Sequence, residues 1–207
     1  FNAAFIPSYT SVNFSSKKKG KIFADDVLSF LFFTLLFLVT LAEIFTPFLV
    51  YLIAPGFIED EIKFNLAIEF TRITFPFLLF VSLSSFFSGI LNSNNKFAAA
   101  SAAPIILNVI LIACIFISYV QNFNIAKQLS YGVTFAGVVQ LVFLIFVTLK
   151  FYKPKILFKF TFNKRVKFFF KKLFPSILSS GVTQINILVG TIIASFQTGA
   201  VSYLYYA

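Results

Sequence analysis

Histidine, methionine and tryptophan are absent from the 207 residues, and Cys114 is the single cysteine. A lone thiol has no disulfide partner and forms no cysteine metal cluster, and the lack of histidine removes the commonest general base and metal ligand. The sequence also shows no nucleophile elbow and no glycine loop of the kind that cradles phosphates. We therefore expect a protein that is not an enzyme and that carries no metal and no other cofactor.

Charge is also scarce, since 12% of the residues are charged and 59% are hydrophobic. Such a composition is typical of an integral membrane protein. The apolar runs are unbroken and lack the alternation of barrel strands, so helices are the spanning structure they favour. We predict an all-α fold, a polytopic transmembrane helix bundle with about five complete spans. Because methionine is absent even at position 1, we expect the chain to be a piece of a longer protein.

The spans are delimited by short polar or proline-containing segments. The predicted complete spans are 27–58, 64–91, 103–120, 129–149 and 173–195, with the end of another span at 1–16 and the start of a further one at 202–207. Asp25 or Asp26 is predicted to cap the first of them, because a carboxylate suits the positive end of a helix. Pro104 is predicted in the first turn of the third span.

The net charge of +10 is unevenly distributed over the loops. Fourteen lysines and arginines fall in alternate loops (17–21, 96 and 150–172), whereas the opposite loops contain Lys63 and Lys127 alone. This asymmetry indicates that the basic loops are cytoplasmic. It also argues against nucleic acid as a partner, because the basic residues lie between membrane spans.

Glu69 and Arg72 lie inside an apolar segment, three residues apart and therefore on one helix face, with Pro76 one turn later. A charged side chain inside the hydrocarbon layer costs free energy unless it is paired with an opposite charge or is in contact with water. Two interpretations stay open. Arg72 either attracts an anion in a transport cavity, or it forms a structural ion pair with Glu69 that also involves Glu43.

Uncharged polar residues also occur inside the spans, and Asn108, Gln184 and Asn186 are candidates for the substrate path together with Arg72 and Glu69. The alternative is that they, like Gln140, bond a neighbouring helix. Pro76 and Pro175 are candidate hinges, although a static kink is the commoner role of such prolines. Small residues at four-residue spacing, such as Gly132 with Ala136, predict close helix contacts.

Residues 150–172 form a stretch in which basic and aromatic residues alternate, KFYKPKILFKFTFNKRVKFFFKK. One interpretation is a connector held at the membrane surface by anionic lipid, and the other is a recruitment site for a lipid pyrophosphate head group. Its length suggests a boundary between two bundles. We therefore divide the chain into part of a first lobe (1–149), a cytoplasmic basic linker (150–172) and the start of a second lobe (173–207).

Several segments, taken in order, resemble one family of bacterial membrane proteins. They are FNAAFIPSYT, LIAPGF, TRITFPFLLFVSLSSFFSGILNSNNKFAAASAAPIILN, GVVQLV and FPSILSSGVTQINILVGTIIASFQTGAVSYLYYA. Together they are similar to the MurJ (MviN) family of lipid II flippases, which belongs to the multidrug/oligosaccharidyl-lipid/polysaccharide exporter superfamily. The resemblance implies a two-lobed fold of fourteen helices, of which this chain contains a part.

The resemblance also implies a function and a location. The family moves lipid II, an undecaprenyl-pyrophosphate-linked glycopeptide, from the inner to the outer leaflet of the bacterial cytoplasmic membrane by alternating access. Lipid II, membrane lipids and cell-wall synthesis proteins are the implied partners. The family's essential cavity arginines fall outside this chain, whereas Arg72 matches a position that is basic in relatives. Two alternatives remain, namely a multidrug or polysaccharide-lipid exporter of the same superfamily and a membrane scaffold for cell-wall enzymes.

Overall fold

In a computed structural model that describes residues 1–158, 164–197 and 199–206, the chain forms helices joined by short turns. The helices are α1 (Asn2–Ser15), α2 (Lys17–Ile44), α3 (Thr46–Ile53), α4 (Glu61–Thr74), α5 (Phe77–Ser93), α6 (Phe97–Gln121), α7 (Ile125–Thr148), α8 (Lys164–Ser195) and α9 (Ala200–Tyr206), and Pro55–Glu59 forms a 3₁₀ turn. Within these described residues, four segments are long and apolar enough to cross a membrane: α2, α4 taken with α5, α6 and α7. The predicted all-α bundle is confirmed.

The lysine-rich segment after α1, predicted as a loop, is the beginning of α2. Helix α2 begins at Lys17, and the Ser16 hydroxyl accepts a hydrogen bond from the backbone N–H of Lys19 at 3.5 Å. The prediction that Asp25 or Asp26 caps this helix is wrong, because Ser16 provides the cap earlier in the chain. Both aspartates lie inside the helix and are buried.

Prolines divide two of the long apolar segments into pairs of helices. Pro47 lies in the first turn of α3, and Pro76 separates α4 from α5. A proline has no N–H to continue the helical hydrogen bonds, so breaks at these positions are expected. Pro104 lies inside α6, because this helix begins at Phe97, and its predicted place in the first turn is wrong. The alanine-rich residues before Pro104 are good helix formers and extend the helix upstream.

An aromatic core holds α1, α2, α5 and the beginning of α8 together. It consists of Phe5, Phe23, Phe86 and Phe169, each at most 2% exposed. The ring centroid of Phe5 lies 5.0 Å from that of Phe86 and 6.2 Å from that of Phe169. Helix α8 begins at Lys164, earlier than the predicted position 173, and its first turns complete the core of the helices that precede it.

Small residues on α7 allow it to pack closely against two neighbours. A Cβ atom at Gly132 would lie 2.7 Å from the Cys114 sulfur of α6, and a Cβ atom at Gly137 would lie 2.7 Å from the Phe77 ring of α5. A larger residue at either position would require the Cys114 or the Phe77 side chain to shift. The predicted role of small residues in close helix approach is therefore confirmed for α7.

The end of α8 touches the 3₁₀ turn through a third glycine contact, at Gly56. The backbone N–H of Gly56 donates to the Ser195 hydroxyl at 3.0 Å, and a Cβ atom at Gly56 would lie 2.4 Å from the Ser195 carbonyl oxygen. Helix α8 therefore meets the preceding helices at both of its ends. Between these ends, no described residue outside the adjoining turns of α8 has an atom within 4 Å of where a Cβ of Gly181 would lie.

Candidate substrate path

Arg72 lies on α4 and its side chain is exposed. Glu61, Asn65 and Arg72 recur at helical spacing, so they share one polar face of α4. The Arg72 guanidinium interacts electrostatically with the Glu43 carboxylate of α2. One oxygen of Glu43, Oε1, is buried and has no hydrogen-bond partner among the described residues. Arg72 thus remains available to a ligand while a nearby carboxylate balances its charge.

Glu69 has a different partner from the one that its spacing suggested. Its Oε1 atom lies 2.7 Å from Lys127 Nζ, at the beginning of α7. The hypothesis of a Glu69–Arg72 ion pair is therefore wrong. The packing of α4 against α7 brings Lys127 into direct contact with Glu69. Both side chains are about half exposed, at 49% for Lys127 and 43% for Glu69, so solvent screens this pair and it stabilises the fold only weakly.

The other candidates are not brought together by the described structure. Asn108 on α6 and Gln184 and Asn186 on α8 are exposed, and none of them bonds another described residue. Gln184 and Asn186 are two positions apart in one helix, which places their side chains about 200° apart around its axis. A single cavity wall therefore includes one of them at most. Pro175 lies within α8, and Pro76 lies at the junction of α4 and α5.

A buried polar cluster that the sequence did not predict connects the segment after α7 to α2. The Tyr152 hydroxyl donates to Asp25 Oδ1 at 2.5 Å, and the backbone N–H of Lys155 donates to the same oxygen at 3.0 Å. Two residues later, the backbone N–H of Leu157 donates to the Ser29 hydroxyl at 2.8 Å. We call these contacts the Asp25 cluster. It fixes the beginning of the 150–172 segment against α2.

Burial raises the pKa of the Tyr152 phenol well above its ordinary value, and the hydrogen bond to the Asp25 carboxylate raises it further. The folded protein therefore favours the protonated phenol. Its contribution to stability is complete below the unfolded pKa of about 10 and is lost as pH rises above it. We expect the stability difference between the wild type and Tyr152→Phe to be constant from about pH 7 to 9 and to shrink above about pH 10.

The measurement is the thermal midpoint of the complete protein and of Tyr152→Phe in detergent across this pH range. The other tyrosines and lysines titrate in both proteins, so their contribution cancels in the difference between the two thermal midpoints. A difference that already changes between about pH 7 and 9 would contradict the assignment of the hydrogen bond to a protonated phenol.

The family model described as "Lipid II flippase MurJ" matches residues 1–207, which is the whole chain. The chain belongs to the MurJ family. It is 38% identical over 211 residues to a probable lipid II flippase MurJ of Rickettsia prowazekii (strain Madrid E) and 36% identical over 213 residues to one of Rhizobium tropici. Each alignment covers 100% of this chain and 40% of the relative.

A solved MurJ structure has the same arrangement of helices. The structure titled "Lipid II flippase MurJ, inward closed conformation" aligns with a TM-score of 0.77 and 27% sequence identity, over 99% of this chain and 42% of that chain. The MurJ resemblance expected from the sequence is therefore confirmed. The chain spans about 40% of the length of the curated relatives.

Proposed function

We propose that the complete protein is a lipid II flippase, which moves the undecaprenyl-pyrophosphate-linked precursor from the inner to the outer leaflet of the bacterial cytoplasmic membrane. The observation that carries this proposal is the match of the MurJ family model to all 207 residues. A multidrug exporter and a scaffold for cell-wall enzymes are not favoured by this match. Cell-wall synthesis proteins remain proposed partners.

The proposed orientation places the three basic segments in the cytoplasm, as their charge asymmetry suggests. Their arrangement in space supports this. Lys96, in the turn between α5 and α6, lies 5.9 Å from the centroid of the Phe151 ring just after α7. The Asp25 cluster brings the same segment to α2 near its lysine-rich first turn. The basic segments therefore gather at one end of the bundle, which suits a single side of the membrane.

The proposed lobe division has residues 1–149 in the first lobe, 150–172 as the linker and 173–207 at the start of the second lobe. The Asp25 cluster and the aromatic core move the proposed boundary further along the chain. Residues 152–157 and the first turns of α8 pack on the first lobe. Movement between the lobes would then take place beyond Phe169. Pro175 is the nearest candidate hinge.

Arg72 is the residue of this chain that we assign to attraction of the pyrophosphate. It lies nine residues beyond Lys63 on the same helix, which corresponds to about 13 Å along the axis. At this depth the surroundings have a low dielectric constant, so a guanidinium attracts an anion more strongly than it does in water. It also forms strong charge-assisted hydrogen bonds to phosphate oxygens. The Glu43 carboxylate nearby moderates this attraction, so that the head group is held but still released.

The test uses the complete reading frame in bacteria depleted of their own flippase and measures lipid II exposed on the outer leaflet. The wild type is expected to restore exposure. If it inserts into the membrane without restoring exposure, the proposed function is wrong, and accumulation of a different lipid-linked precursor would indicate another exporter.

Arg72→Ala is expected to lower lipid II exposure about tenfold, which corresponds to the loss of one charge-assisted contact. Arg72→Lys keeps the charge and should retain most of the activity. Lys63→Ala is the matched control, because Lys63 is a basic residue of the same helix and lies over the Phe57 ring, 4.1 Å from its centroid. Full activity of Arg72→Ala would show that Arg72 takes no part in transport.

A further inference from the structure

Lys127 lies in the first turn of α7, where a basic residue is unexpected. The N-terminus of a helix carries a partial positive charge, so a lysine is disfavoured there. The backbone N–H of Lys127 donates to the Asn124 side-chain oxygen at 3.0 Å, which fixes this turn. The turn itself contains no acidic residue. The negative charge that faces Lys127 comes instead from Glu69 of α4, whose Oε1 atom lies 2.7 Å from Lys127 Nζ.

Helices α4 and α7 also contact each other beyond this ion pair. The Thr134 hydroxyl of α7 donates to the backbone carbonyl of Ile73 in α4. Ile73 follows Glu69, and Thr134 follows Lys127, by about one to two helical turns, so this contact lies further along both helices. The approach of Lys127 to Glu69 is therefore part of the packing of the two helices and not an isolated contact between exposed side chains.

Without Lys127, the nearest partner of Glu69 along its own helix would be Arg72. A glutamate and an arginine three residues apart have Cβ atoms about 5–6 Å from each other and form a favourable pair on a helix surface. In the structure, Arg72 is exposed and forms a direct ion pair with none of the described carboxylates. The carboxylate of Glu69 is turned towards α7 and binds Lys127 instead.

This arrangement determines how strongly Arg72 attracts an anion. The Glu43 carboxylate already interacts with the Arg72 guanidinium. A second carboxylate beside Arg72 would leave a net negative charge there, which repels an anion. Lys127 neutralises Glu69 and holds its carboxylate on the side of α4 that faces α7. Because the pair of Lys127 and Glu69 is about half exposed and adds little to stability, a structural role alone does not account for it.

We propose that Lys127 is a positioning residue for anion binding. Its ion pair with Glu69 keeps that carboxylate away from Arg72 and leaves the guanidinium free for the phosphate oxygens of the substrate. This inference rests on the proposed function, in which Arg72 attracts the pyrophosphate of lipid II. Lys127 acts through Glu69 and makes no contact with the substrate itself.

The first test needs no lipid substrate and measures thermal midpoints of the purified complete protein in detergent at low salt. It compares Glu69→Gln, Arg72→Gln and the double variant, first with Lys127 present and then in a Lys127→Ala background. With Lys127 present, the two effects should add, because the side chains of Glu69 and Arg72 do not pair. In the Lys127→Ala background, the double variant should lose less than the sum of the single effects, because the two side chains then form a pair.

The second test measures lipid II on the outer leaflet of bacteria depleted of their own flippase. Lys127→Ala should lower this exposure about threefold, because Glu69 then occupies Arg72 for part of the time. Adding Glu69→Gln to Lys127→Ala should restore exposure, although this double variant lacks the ion pair. Lys127→Arg keeps the charge and should retain most of the activity. Lys63→Ala is the matched control, because it removes a lysine of α4 that lies over the Phe57 ring instead of beside Glu69.

Three results would overturn the proposal. Additive effects in both backgrounds would show that Glu69 does not pair with Arg72 when Lys127 is lost. Wild-type exposure of lipid II in Lys127→Ala would show that Arg72 does not depend on Lys127. Lowered exposure without rescue by Glu69→Gln would show that Lys127 acts only through the fold. Failure of the proposed function looks different, because the wild type itself would then not restore exposure, and the first test would still decide whether Lys127 keeps Glu69 from Arg72.

Discussion

Replacing Asp25 with alanine is expected to lower the stability of the complete protein by about 3 kcal/mol, because one buried and one partly buried donor lose their acceptor. The donors are the Tyr152 hydroxyl and the backbone N–H of Lys155, which both bond Asp25 Oδ1. Tyr152 is only 3% exposed, so water does not readily take the place of the carboxylate. Asp25→Asn keeps an acceptor oxygen and should lose clearly less.

Chemical unfolding of the complete protein in detergent measures this change, and limited trypsin digestion locates it. The bond between Lys155 and Ile156 should be cut faster in Asp25→Ala than in the wild type, because the segment after α7 loses its attachment to α2. Glu59→Ala is the control, since it removes an exposed carboxylate that bonds no described residue. Equal stability and equal cleavage of Asp25→Ala and the control would refute the anchoring role of the Asp25 cluster.

A methyl group at Gly56 is expected to separate the 3₁₀ turn from the end of α8. Gly56→Ala would place its Cβ 2.4 Å from the Ser195 carbonyl oxygen. A backbone atom cannot avoid this clash by a change of rotamer, so the two segments have to move apart. The shift also breaks the hydrogen bond from the Gly56 N–H to the Ser195 hydroxyl. Overpacking of this kind costs about 1–3 kcal/mol, so the population with this contact closed should fall about tenfold to a hundredfold.

Spin labels on cysteines at Glu59 and Gln197, introduced after Cys114→Ala, report the distance across this contact in the complete protein. The distance distribution should move to longer values in Gly56→Ala. Gly181→Ala is the matched control, because a Cβ atom there meets nothing within 4 Å. If Gly56→Ala has the distance distribution of the wild type, the contact between the 3₁₀ turn and the end of α8 does not require a glycine at position 56.

The helices were predictable because each long uncharged run has one stable structure in lipid. The predicted helix ends that are wrong rest on single residues, namely a capping residue or a proline. Asp25 and Asp26 are good capping residues, yet Ser16 takes that role and Asp25 bonds a distant segment. Pro104 suits a first helical turn, yet the alanines before it extend α6 to Phe97. The length of a span follows from the whole apolar run. The helix is capped by the first suitable residue before that run.

The candidate site was less predictable, because its partners come from remote parts of the chain. The spacing of Glu69 and Arg72 suggested a local pair, but Lys127 reaches Glu69 from another helix. Nothing in a single sequence predicts that Asp25 and Tyr152 are in contact. Their contact depends on how the segment after α7 folds back onto α2. Gln140 was identified as a polar residue within a span, whereas the cavity that it lines depends on three neighbouring helices.

The position of Phe169 in the aromatic core bears on how the protein is made. Phe5 leaves the ribosome well before Phe169, which follows only after α2 to α7 have been synthesised. At about 5–20 residues per second, the growing chain spends roughly ten seconds or more with this core incomplete. Until Phe169 arrives, lipid or the insertion machinery has to cover Phe5 and Phe23. Completion of the aromatic core is therefore timed by the synthesis of α8.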